Sequence, residues 1–180
     1  GDVILTAGET TAEEKIGGDV VITAGIGSNP NTADGGNGGK VQVFGGEALG
    51  QNKHLDWGGN IEMAGGRSAK STGGAFILHT GIGTATSSGL ISIVTANAGV
   101  SGVSGSLAFS SGTTTKGNSG MIMIGTGRAN LGKGGDINIE VGTGNKGDGG
   151  NVLTSGGEAT APGGTGGNIT IIGGLGSSTQ

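Results

Sequence analysis

The side chains able to do chemistry are few. His54 and His79 are the only histidines and there is no cysteine, which removes disulfides and thiolate metal sites and leaves too few imidazoles for a zinc cluster. No serine, histidine and acid stand out as a nucleophilic set. No catalytic, cofactor-binding or metal-binding residue is therefore assigned, and the chain is expected to be neither an enzyme nor a cofactor carrier. Calcium-binding repeats need an aspartate in a Gly-Gly-x-Gly-x-Asp frame, but Gly163-Gly164-Thr165-Gly166-Gly167-Asn168 places Asn there. The residue after the first glycine of each repeat is Asp only at Asp2, Asp19 and Asp136, so a hard cation lacks carboxylates on successive turns. Gly-x-Gly pairs such as Gly25-Ile26-Gly27 recur in register at the ends of apolar runs and read as turns, because a phosphate loop needs a helix N-terminus behind it.

One segment departs from this plainness. The long connection Ala48–Trp57 carries Lys53, His54, Asp56 and Trp57, the only tryptophan. His54 and Trp57 make it the candidate ligand loop, since an indole face can stack on a sugar ring. The commoner role of a lone tryptophan is to cover an exposed apolar edge. A second long connection spans Gly27–Gly38. Asn168-Ile169-Thr170 is the only glycosylation acceptor pattern.

The elements that position these residues come from a repeat. Eleven units begin at Gly1, Gly18, Gly39, Gly59, Gly74, Gly89, Gly105, Gly120, Gly135, Gly150 and Gly167. The basic unit is 15 residues, and together the units form a single repeat domain over 1–180. With that glycine as position 0, position +2 is apolar in every unit (Val3, Val20, Ile122, Ile137 among them) and +4 is apolar in all but Thr154. Position +7 is glycine except at Ala96, and +6 and +9 are small. Apolar residues two apart specify a strand with one buried face. The +2 and +4 columns are therefore expected to point inward at every level.

Like residues at like positions suit a parallel stack better than an antiparallel meander, where equivalent positions would not align. The predicted fold is all-β, a parallel β-solenoid of about eleven short repeats with handedness undetermined and one or two strands per coil. Runs such as Gly17-Gly18-Asp19-Val20-Val21-Ile22-Thr23-Ala24-Gly25 and Gly166-Gly167-Asn168-Ile169-Thr170-Ile171 resemble the glycine-rich β-solenoid repeats of secreted, surface and viral fibre proteins. The resemblance covers nearly the whole chain and implies a structural role at an extracellular, cell-surface or virion-surface location.

Composition agrees with a structural role. Glycine supplies 47 of 180 residues and aromatics only 2%, so a broad core of large side chains cannot be built. A net charge of −4 with no basic stripe gives no footprint for nucleic acid, and no apolar run reaches the roughly 20 residues of a spanning helix. The chain opens inside one repeat and stops soon after another without polar caps, so flanking repeats or other copies of the chain are the expected partners. Gly112, Gly127 and Gly142 at +7 are the expected packing face. The expected function is a non-catalytic module of a fibre or filament that assembles by stacking solenoid rods. The alternative is a surface for ice or polysaccharide; for ice, an outward threonine column is required, but +5 is interrupted by Phe44, His79 and Glu140.

Overall fold

The computed structural model describes residues 1–52 and 54–176. The chain divides into two units, Gly1–Ser92 and Ile93–Gln180. Within each unit the repeats follow one path. The backbone runs from position 0 to +7 without a turn, and a bend follows in the connection, as at 69–71, 84–86, 115–117 and 145–147. In the second unit several bends are closed by glycines at positive φ: Gly102, Gly117, Gly147 and Gly163. Leu131 takes the same left-handed conformation at φ 61°, which costs a side-chain-bearing residue about 1–2 kcal/mol.

The expected all-β parallel β-solenoid is not what forms. Among the described residues there is no helix and no β-strand, hence no sheet and no stack of coils. Two physical reasons account for the correction. A ladder needs a row of bonds along each run, yet ten backbone–backbone hydrogen bonds form among the described residues, far below the roughly one hydrogen bond per residue of a folded domain. Two apolar side chains in a 15-residue unit also offset little of the ordering entropy of a chain so rich in glycine.

A difference between the two sides of a run persists in some repeats only. Ile122 at +2 is 53% exposed, while Met121 and Met123 beside it are 78% and 79% exposed. In the first repeat the order is reversed, with Val3 at +2 90% exposed and Ile4 beside it 80%, and the inward burial expected of +2 and +4 is absent: among the described residues no hydrophobic side chain is buried, and Ile124 at +4 is 76% exposed.

Neighbouring repeats meet at a different point. The position-0 amide donates to the +7 carbonyl of the preceding repeat: Gly18 to Gly8 at 2.8 Å, Gly39 to Gly25 at 2.9 Å, Gly59 to Gly46 at 2.8 Å, Gly74 to Gly66 at 2.8 Å, Gly89 to Gly81 at 3.2 Å and Gly167 to Gly157 at 2.8 Å. The clasp forms with some residues at +6 and not with others. It forms where +6 is Ala7, Ala24, Gly45, Gly65 or Gly156, is longest beside Thr80, and is absent where +6 is Thr95, Ser111, Thr126 or Val141.

At junctions where +6 carries a side chain, closed or open, that side chain lies against the next position-0 glycine. Ala7 Cβ stands 3.4 Å from where a Cβ on Gly18 would be, and Val141 Cγ1 stands 2.7 Å from the same point on Gly150. At Thr126 the hydroxyl takes over, donating to the Gly135 carbonyl at 3.3 Å. Three of these contact residues, Ala7, Ala24 and Thr80, are among the few described residues that are even half-buried.

Candidate functional site

The connection from Gly50 to Trp57 is one of two densely hydrogen-bonded segments of the first unit. Asn52 organises it. Its side-chain oxygen accepts the His54 amide at 3.0 Å, and its backbone carbonyl accepts the amides of Leu55 at 3.3 Å and Asp56 at 3.1 Å. This is an Asx turn continued by one helical turn that goes no further. The Asp56 carboxylate folds back to accept the Asn52 amide at 2.7 Å, a charge-assisted bond. That carboxylate occupies the space where a side chain on Gly50 would stand, so glycine is required there by close approach.

Trp57 closes the loop. Its indole Nε1–H donates to the His54 carbonyl at 3.2 Å, and 76% of the residue remains exposed. The structure therefore brings His54 and Trp57 together through the His54 backbone. Lys53 lies outside the described residues. The bonds of Asn52 and the glycine at position 50 are the features that sequence reasoning missed, although Asn-x-His with Asp56 four residues after Asn52 carries the signal of an Asx turn.

The other long connection is built similarly without an aromatic residue. Asn29 Oδ1 accepts the Asn31 amide at 3.1 Å, and Asn31 Oδ1 accepts the amides of Ala33 at 2.9 Å and Asp34 at 3.3 Å. The backbone of Gly36 and Asn37 fills the place of a side chain on Gly27.

The +7 glycines present the opposite picture. At Gly112, Gly127 and Gly142, and equally at Gly8, Gly25, Gly46, Gly66, Gly81, Gly157 and Gly174, nothing lies within 4 Å of where a Cβ would be. Position-0 glycines are crowded, as at Gly59, where that point is 2.8 Å from the Gly46 nitrogen. None of the +7 glycines has a positive φ. Contacts within the chain thus account for glycine at 0 and leave it unexplained at +7.

Electrostatics are weak throughout. Among the described residues the ion pair is Lys133 with Asp136 at 2.8 Å, with both side chains about four-fifths exposed, which is worth less than about 1 kcal/mol. Among the described residues no three His, Cys, Asp or Glu side chains gather and no cavity is found. No helix there is long and apolar enough to cross a membrane. No protein-family model, no curated protein and no solved structure matches the chain.

Proposed function

We propose that the chain is a non-catalytic structural repeat module of an extracellular or viral fibre or filament, and that its apolar columns are covered by other copies of itself or by flanking repeats. The observation that carries this is the exposed area. The chain exposes 18430 Å², whereas a folded monomer of its 17.0 kDa exposes about 7,700 Å² and its unfolded chain about 24,700 Å². The exposed side chains include Ile61, Ile91, Ile122, Ile137 and Ile169 along +2, and an extended set of exposed large apolar side chains marks an association surface.

Two further features favour copies of the chain as the cover. An apolar residue recurs at +2 in every repeat, so one copy offers another a matching periodic surface. A charge of −4 over 180 residues repels weakly and is screened within about 8–10 Å at physiological salt. The open +7 glycines then permit backbone to approach backbone without a side chain between. The stacking of solenoid rods has no part in this reading.

Paired variants test it. Ile137→Asp places a charge on the +2 face, where cover by another copy would bury it, while Asn138→Asp places the same charge on +3. Association lost in the first and kept in the second is the expected outcome. Equal association of both variants would show that the +2 face is not what binds.

A further inference from the structure

Asn37 is the only asparagine of the chain that glycine follows. We infer that Asn37 is a self-modification site: the Gly38 amide nitrogen attacks the Asn37 side-chain carbonyl, water converts the product to isoaspartate, and the clasp between the second and third repeats opens.

The chemistry needs only the chain and water. The Gly38 nitrogen forms a bond to Asn37 Cγ, the Cγ–Nδ2 bond breaks, and Nδ2 leaves as ammonia with the Gly38 amide proton. The succinimide ring so formed holds the Gly38 nitrogen between two carbonyl carbons. Water adds to one of them, its hydroxyl staying on carbon and its proton returning to nitrogen. Where it adds to the former backbone carbonyl, the chain runs through Cγ, one carbon longer, and a new carboxylate stands on Cα. Nothing is oxidised or reduced.

The structure sets this asparagine apart from others. Its carboxamide is exposed and makes no hydrogen bond among the described residues, whereas those of Asn29, Asn31, Asn52 and Asn138 are each engaged in one. The Gly38 amide likewise donates to no acceptor there, although Gly39 beside it donates to Gly25. A Cβ on Gly38 would meet nothing nearer than the Gly25 carbonyl at 4.0 Å, so nothing crowds the approach of the carboxamide, and glycine lets the backbone turn toward it. Asp34-Gly35 and Asp148-Gly149 share the following glycine but carry a carboxylate, whose charge resists attack at neutral pH.

The position gives the modification a structural effect. Asn37 lies between two bonds that tie this connection together, Gly36 to Asn29 at 3.4 Å and Gly39 to Gly25 at 2.9 Å. Its backbone carbonyl packs where a side chain on Gly27 would stand, and that carbonyl is the group the modification takes out of the chain path. An added backbone carbon two residues before Gly39 moves the Gly39 amide relative to Gly25.

The full chain is incubated in mildly alkaline and mildly acidic buffer over days. Peptide mass spectrometry follows amide loss at every asparagine, electron-transfer fragmentation separates isoaspartate from aspartate, and NMR reads amide exchange at Gly39 with Gly74 as reference. Amide loss at Asn37 should outpace that at every other asparagine by at least about tenfold, the effect of a barrier lower by about 1.4 kcal/mol. It should be faster in the alkaline buffer, with isoaspartate in excess of aspartate. Gly39 exchange in the isoaspartate form should rise roughly two- to tenfold, the effect of losing one hydrogen bond. Gly38→Ala, whose Cβ meets open space, should slow amide loss by about tenfold and leave Gly39 exchange as in the unmodified chain. Asn37→Asp adds the charge without the extra backbone carbon and should leave Gly39 exchange unmoved. Amide loss at Asn37 no faster than at the other asparagines, or equal in Gly38→Ala, overturns the inference. Unchanged Gly39 exchange in the isoaspartate form overturns its effect on the clasp.

Discussion

Exchanging the residues at +6 should open one clasp and close another. Ala7→Val introduces at the first repeat the side chain that Val141 presents at the ninth. Val141 Cγ1 reaches within 2.7 Å of where a Cβ on Gly150 would be, and no bond joins Gly150 to Gly142; Ala7 leaves room for a 2.8 Å bond from Gly18 to Gly8. An intramolecular hydrogen bond is worth about 0.5–1.5 kcal/mol net, so its loss should raise amide exchange at Gly18 by roughly two- to tenfold. Val141→Ala should lower exchange at Gly150 by a similar factor, as the new bond to Gly142 forms. Exchange is read by NMR at both glycines in the wild-type chain and both variants, with Gly74 as an unaltered reference. If Gly18 exchange is unchanged in Ala7→Val, or Gly150 gains no protection in Val141→Ala, side-chain size at +6 does not control how repeats meet.

Gly59→Ala should disrupt the junction with Gly46, because the added carbon would lie 2.8 Å from the Gly46 nitrogen; Gly46→Ala meets open space and should leave that junction intact, as chemical shifts around Gly46 and Gly59 would show. Replacing the +7 glycines Gly112, Gly127 and Gly142 together by Val should leave the monomer's shifts elsewhere in place and weaken association at least tenfold, read by dilution series. Leu131→Gly should keep the bend at 130–132 and Leu131→Val should abolish it, since a β-branched residue resists positive φ; the HN–Hα coupling at position 131 reports the change.

The sequence made the repeat legible, and much less of how repeats touch. Spacing of apolar residues by two implies which side chains share a face, yet only Ile122 is less exposed than Met121 and Met123, while Ile124 is about as exposed as they are. Nor does the spacing say that another layer covers the face. That step needs enough apolar area to offset the entropy of a chain with 47 glycines, and Ile122 and Ile124 in one unit do not supply it. The contact between repeats lies beside +6, where Ala7, Thr95 and Val141 all read as small and the spacing does not tell a junction with a bond from one without. The loop was legible in part. Trp57 announced itself by being alone, whereas Asn52, Asp56 and Gly50, which hold it, look like ordinary polar loop residues until the hydrogen bonds are seen.

Sedimentation velocity of the full wild-type chain from low to high micromolar concentration tests most directly whether the exposed columns are covered by other copies. Association through +2 predicts species that grow with concentration beyond the 17.0 kDa of one chain and that revert to one chain in Ile137→Asp. A single species of 17.0 kDa at every concentration, with the isoleucine methyl groups of +2 still in contact with solvent, would contradict it.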